Sequence, residues 1–177
     1  VRILTWKKEF NYSAINNFAV REAQGEYLLF LNNDVEIITE NWLEEMLQLC
    51  QQKDVGMAGA KLYYPDDTIQ HAGVVVGLGG VAAHVLCKLP RDAEGYMGRL
   101  RCVQEISAVT AACMMVKTSV FKAVGGFDEE LKVAFNDIDL CMKVRKYGVK
   151  IVFTPYAELY HYESKSRGME DTPEKQL

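Results

Sequence analysis

The sequence predicts an α/β fold, a Rossmann-like, mostly parallel sheet flanked by helices. Three observations carry that expectation. Segments of helical and strand periodicity alternate along the chain. The run Tyr27-Leu28-Leu29-Phe30-Leu31 is continuously apolar, as in a central strand covered on both faces. That run stops abruptly at Asn32-Asn33-Asp34, a polar cluster where open α/β sheets gather their ligands.

The elements follow in order. A short strand is expected at Ile3–Trp6, then a helix over Ser13–Gln24, with Ile15, Phe18, Ala19 and Ala23 at helical spacing and Gly25 as the stop. After the apolar strand, Thr39 is placed to cap a helix that buries Trp42, Leu43, Met46, Leu47 and Cys50. Val55–Leu62 reads as a strand, Pro65-Asp66-Asp67 as a turn and Val74–Val76 as a short strand. The Gly-rich stretch 77–98 carries no periodicity. Strand character returns at Ala112–Val116, and a short helix over Ser119–Val124 is closed by Gly125-Gly126. A helix over Asp137–Tyr147 ends at Gly148, with Val149–Phe153 and Ala157–Tyr160 as the last strands. With no repeat and no linker, residues 1–177 read as a single domain.

Composition narrows the function. At 49% hydrophobic and 25% charged, the chain matches folded globular proteins rather than disordered ones. A net charge of −4 argues against a nucleic-acid partner, which calls for a basic face. The five cysteines show no CxxC spacing and lie mostly in apolar runs, so they read as reduced core thiols in a cytoplasmic setting. No apolar run is long enough to cross a bilayer, so any membrane association would be at its inner face. The chain begins without Met, in what reads as a strand already under way and unlike a secretory signal, as expected of a piece of a longer protein.

Three clusters could carry chemistry. Asn32-Asn33-Asp34 offers short polar groups to a cation or a ribose, although Asn and Asp also favour plain turns. In Asn136-Asp137-Ile138-Asp139 the two carboxylates lie two apart and so on different helix faces; an acidic residue at such a place is more often a helix-start residue than a base. His161, at a strand end and followed by Ser164, Lys165 and Arg167, could join a metal to a phosphate, or be an ordinary core histidine. His71 and His84 lack such neighbours and read as structural.

Taken together, these segments resemble the inverting family-2 glycosyltransferases of the GT-A fold. The likeness rests on Asn11–Asn17, Gly25–Asp34, Gly125-Gly126-Phe127-Asp128-Glu129, Asn136–Cys141 and His161–Gly168. It is nearest to bacterial members that build surface polysaccharides, including rhamnosyltransferase-like enzymes. The resemblance implies that Asn32-Asn33-Asp34 stands in for the DxD motif, with Asp34 and His161 holding Mn²⁺ or Mg²⁺ on the donor diphosphate. It further implies Asp137 as catalytic base, with Asn136 and Asp139 on the acceptor side. Asn17, Asn32, Asn33, Ser164 and Arg167 would contact the donor. Asn32 and Asn136 replace the family's usual acidic residues.

The expected partners are a nucleoside-diphosphate sugar and a glycan or lipid-linked glycan acceptor. The family's first nucleotide-binding strand and helix have no counterpart in this sequence, so the isolated chain is expected to be inactive. Two other classes remain open: a sugar-1-phosphate nucleotidyltransferase, and a non-catalytic binding or scaffold module of the same fold.

Overall fold

The structure, a computed structural model, describes residues 2–162. Helix α1 (Tyr12–Glu22) starts where the Asn11 side chain accepts a hydrogen bond from the Ala14 amide. Strands β1 (Tyr27–Leu31) and β2 (Val35–Ile37) precede α2 (Trp42–Cys50), β3 (Val55–Tyr63), β4 (Ile69–His71), β5 (Val74–Val76) and β6 (Ala82–His84). A 3₁₀ turn (Leu78–Gly80) separates β5 from β6, and after a second one (Tyr96–Arg101) come β7 (Gln104–Glu105), β8 (Cys113–Lys117), α3 (Thr118–Ala123), α4 (Asn136–Lys146) and β9 (Lys150–His161).

The main sheet runs β1-β8-β3-β9-β2, with β4 joined to β3 and β7 to β9. Every residue of β3 is buried, because both sheet faces are covered. On one face, α2 brings Trp42, Met46, Leu49 and Cys50 onto Ala58, Ala60, Leu62 and Leu159. On the other, Val20 of α1, Val120 and Phe121 of α3, and Leu140, Cys141 and Val144 of α4 pack on Phe30, Met57 and Phe153. Helices on both faces of a sheet give the α/β sandwich that the alternation of periodicities implied.

Strand direction departs from expectation. Among the described residues only β3 and β9 pair in parallel, and the other five pairings of this sheet are antiparallel. Nor is β1 central or fully buried: it ends the strand path, Leu28 and Phe30 are buried, and Leu31 is exposed. A continuous apolar run reports that both faces of a strand are covered. It says nothing about which strand lies beside it or which way that strand runs. Ile3–Trp6 forms no strand, the residue capping α2 is Asn41 rather than Thr39, and the two closing strands are one, β9.

One junction fixes the position of α1 against the rest. Gly125 and Gly126 adopt left-handed φ values of 82° and 72° and turn the chain after α3. Phe127 then enters the core, its ring 5.0 Å from Phe30 and 5.6 Å from Phe121. The Asn17 carboxamide grips this loop, donating to the Phe127 carbonyl (2.9 Å) and accepting from the Phe127 amide (3.0 Å). A Cβ on Gly126 would lie 2.7 Å from Asn17 Oδ1 and 3.0 Å from the Phe121 ring. Gly126→Ala therefore combines left-handed strain with overpacking, and is expected to cost about 2–4 kcal/mol, read as a lower urea midpoint at unchanged m.

Candidate active site

The site forms where three strand ends and one helix start converge. β8 runs antiparallel to β1, so its beginning lies beside the end of β1, with Leu31 opposite Cys113. The Asn32 amide continues that ladder by donating to the Ala112 carbonyl (3.0 Å). The chain then turns through Asn33 and Asp34 into β2, whose Val35 lies opposite His161 at the end of β9. The Tyr162 amide closes the turn on the Asp34 carbonyl (2.8 Å).

This arrangement brings Asp34 and His161 together across the sheet, with Asp34 Oδ1 3.3 Å from His161 Nε2. Gln70, on β4 and 5% exposed, orients the ring from the other side. Its Nε2 donates to the His161 carbonyl (3.3 Å), leaving its oxygen to accept from His161 Nδ1–H (2.7 Å). That assignment, read from the hydrogen-bond network, puts the lone pair of the neutral imidazole on Nε2, facing Asp34. Asn32 Nδ2 donates to the same nitrogen (3.2 Å). Asp34 Oδ1 itself is buried and makes no hydrogen bond among the described residues. A carboxylate oxygen without a donor, beside an imidazole lone pair, is the electronic arrangement of two ligands facing one cation.

Asp137 sits in the first turn of α4, after Phe135 in a left-handed conformation (φ 61°). One carboxylate oxygen accepts from the Ile138 amide (2.9 Å), so part of its role is that of a helix-start residue. The other accepts from the Ala111 amide (3.2 Å). Ala111 adjoins Ala112, the partner of Asn32, so consecutive residues, with Cα atoms about 3.8 Å apart, tether the Asp137 carboxylate and the Asn32 turn. Tyr12 holds Ala111 from its other side, donating to its carbonyl (3.2 Å). Burial pushes the Tyr12 phenol well above its usual range, and the charge of Asp137 pushes it further.

The remaining sequence candidates separate. Asp139 pairs with Lys143 one helical turn on (2.7 Å), away from Ala111. Asn136 is buried, and its carboxamide donates to the Val133 carbonyl (3.0 Å), bracing the loop before α4 rather than facing an acceptor. Asn17 is bonded to the Phe127 loop and to Glu129 (3.1 Å). Asn33 is exposed in its turn. Ser164 and Arg167 lie outside the described residues. Sequence reasoning missed Gln70, which lies 91 positions from His161, in a buried strand of only three residues.

Beside the site, His71, read from the sequence as structural, packs against His84. Its ring is fully buried and its Nδ1 lies 2.9 Å from Nδ1 of His84. All five cysteines are free thiols; burial pushes Cys50 and Cys113 up to about 12, so both stay protonated. No described helix is long and apolar enough to cross a membrane.

Residues 1–176 match the family described as "Glycosyltransferase like family", and the chain belongs to it. Protein y4gI of Sinorhizobium fredii is 58% identical over 176 residues, covering 99% of this chain and 19% of that protein. The O-antigen biosynthesis protein RfbC of Myxococcus xanthus is 42% identical over 172 residues, covering 97% of this chain and 14% of that one. The chain thus spans less than a fifth of the length of these relatives. A crystal structure of GalNAc-T7 with UDP, GalNAc and Mn²⁺ superposes with a TM-score of 0.70 at 12% identity, over 94% of this chain and 33% of that one. The fold is therefore that of the GT-A glycosyltransferases.

Burial, first, and then the nearby His84 and His161 hold His71 well below the usual 6.5 of a histidine. The unfolded chain takes up a proton as the pH falls through 6.5, and the folded chain refuses it. Stability should therefore be full above about pH 7 and fall at up to about 1.4 kcal/mol per pH unit below 6.5. Urea titrations at pH 7.5 and 5.5 should show that loss, and His71→Phe should reduce it.

Proposed function

We propose that this chain carries the cation-binding and base residues of an inverting glycosyl transfer, from a nucleoside-diphosphate sugar to an acceptor hydroxyl in surface polysaccharide synthesis. The observation that carries the reading is the facing of Asp34 and His161 at 3.3 Å, within one residue's tether of Asp137. Membership of a glycosyltransferase family supports it, as does the O-antigen role in the name of the Myxococcus relative. The GT-A neighbour was crystallised with Mn²⁺ and UDP.

The donor set suits Mn²⁺ or Mg²⁺, hard ions that accept carboxylate oxygen, with Mn²⁺ the more tolerant of an imidazole. Among the described residues no group of three acidic, histidine or cysteine side chains surrounds one point, which fits an ion completed by phosphate oxygens of the substrate. Such an ion would neutralise charge growing on the leaving diphosphate. Gln70 holds the His161 ring in the tautomer that offers Nε2, and Asp34 supplies the negative charge. Asp137 accepts the proton of the acceptor hydroxyl as that oxygen bonds to the anomeric carbon. The bond from that carbon to the phosphate oxygen breaks on the opposite face, and its electron pair leaves with the diphosphate. Two backbone amides fix the Asp137 carboxylate before the acceptor arrives, so orientation is settled in advance. The free thiols suit a cytoplasmic setting, where nucleotide sugars are available.

Turnover is tested in the full-length protein with and without Mn²⁺. Asp137→Asn should lower kcat by about 10²-fold or more while donor affinity stays constant, because only the proton acceptor is lost. A dead Asp139→Asn variant beside an active Asp137→Asn variant would move the base to Asp139. Gln70→Leu should weaken Mn²⁺ binding by about 10–100-fold through the ring it orients, measured by Mn²⁺ titration, with the acceptor KM unchanged. Mn²⁺-dependent turnover that survives in Asp34→Ala would remove Asp34 from the site.

A further inference from the structure

A cavity of about 410 Å³ opens beside β9, its lining including Lys61, Arg91, Leu100, Arg101, Pro155 and Tyr156. An irregularity in the sheet makes room for it. On β3, Gly59 pairs with Phe153 and Lys61 with Glu158, so residues 154–157 bulge out opposite Ala60 alone.

The lysine is the unexplained group. Lys61 is only 5% exposed, and its ammonium lies over the Tyr63 ring at 5.2 Å. No ion pair or hydrogen bond of Lys61 occurs among the described residues. A partly desolvated ammonium with no ion pair is costly, and the face of one phenol ring and the more distant charge of Glu158 return only part of that cost. Burial pulls the ammonium below its usual range, while the charge of Glu158 works against that shift.

The other cations of the cavity are already matched. Arg91 pairs with Glu158 (3.2 Å) and Asp67 (3.5 Å), and Arg101 with Glu94 (3.0 Å). Tyr63 also donates its hydroxyl to Glu158, so that carboxylate serves two donors besides any pull on Lys61. Of the cations in the lining, Lys61 is thus the one with no ion pair among the described residues. Tyr156 is 51% exposed, and its hydroxyl donates to the Arg101 carbonyl (2.9 Å), which holds a flat apolar ring at the rim.

We propose that this cavity binds a glycosyl phosphate, with the phosphate oxygens on Lys61 and Arg101 and the sugar against the ring of Tyr156. Glu158, in register with Lys61, precedes His161 by three residues, on the order of 10 Å along the strand. The cavity is therefore separate from the Asp34–His161 pair yet within reach of one extended substrate. In the glycosyl-transfer reading this glycosyl phosphate is part of the acceptor, and that assignment rests on the reading; the binding itself does not.

The test is calorimetric titration of the full-length protein with glucose 1-phosphate, inorganic phosphate and inorganic pyrophosphate in EDTA, which removes metal-dependent donor binding. Glucose 1-phosphate should bind more tightly than inorganic phosphate, weaken at least tenfold in Lys61→Met, and weaken less in Arg101→Gln, whose side chain is exposed. Asp34→Ala should leave that binding unchanged. No binding to the parent protein, equal binding in Lys61→Met, or a loss in Asp34→Ala matching that in Lys61→Met would overturn the proposal. Equal affinity for inorganic phosphate and glucose 1-phosphate would remove the sugar contact. Pyrophosphate binding that depends on Asp34 and not on Lys61 would place the anion in the donor site and overturn it as well. Mn²⁺-dependent donor hydrolysis, measured in parallel, should persist in Lys61→Met. If it does so while the phosphate titrations fail, this inference falls and the glycosyl-transfer reading stands.

Discussion

The long strand β9 is the constraint on which the site depends. It is the only described strand that pairs on one side with β3 in parallel and on the other with β2 in antiparallel fashion. The first pairing holds β9 in the buried centre of the sheet. The second delivers the turn after β1 to its end, so that Asp34 meets a histidine 127 positions later at 3.3 Å. Neither residue could be placed by its own loop with that accuracy. The register Val35–His161 and the Tyr162–Asp34 backbone bond set their separation before any side-chain contact forms.

Around this pair, most polar side chains of the matching segments support backbone rather than substrate. Asn17 ties α1 to the Gly125-Gly126-Phe127 turn, Asn136 braces the loop before α4, and Tyr12 and Asp137 hold the two backbone groups of Ala111. The consequence is a rigid frame: the same bonds that satisfy loop amides and carbonyls also fix where Asp137 points. Rigid support of this kind is what a general base requires, since its contribution depends on meeting one proton at one position. It also separates Asp137 from Asp139, whose charge is absorbed by Lys143 within the same helix.

How much could be read from the residues follows from what each signal measures. Helices α1, α2 and α4 were legible because periodicity, caps and closing glycines act over a few residues. The strand ends at Asn32 and His161 were legible because a buried apolar run must stop where polar groups begin. Strand direction was not: β8 and β3 are both apolar on two faces, and nothing in that pattern distinguishes a parallel neighbour from an antiparallel one. The short strands β2 and β4 were also hidden, because three residues carry too little pattern to identify. Gln70 stayed invisible for a related reason. Its meaning comes from a partner 91 residues away, and the sheet that joins them is non-local. Asn17, which the family resemblance placed on the donor side, bonds to the Phe127 loop, a common use of a short amide side chain.

Asn32 shows how a departure from the family pattern can still fit the chemistry. An aspartate at this place would set a second carboxylate beside Asp34, and in the absence of a cation the two would repel. The amide avoids that repulsion and does something a carboxylate cannot: its NH₂ donates to His161 Nε2 at 3.2 Å and holds the ring while no ion is present. A cation that takes the Nε2 lone pair must displace this hydrogen bond, and the freed carboxamide then has both an oxygen and two N–H donors to offer. The oxygen suits a hard ion or a ribose hydroxyl, and the N–H groups suit a phosphate oxygen. In the proposed reaction Asn32 therefore trades one unit of negative charge, and with it some cation affinity, for a site that is already ordered before cation and donor arrive. That trade suits an ion bound together with a diphosphate, whose own charge supplies the attraction that the missing carboxylate would have given.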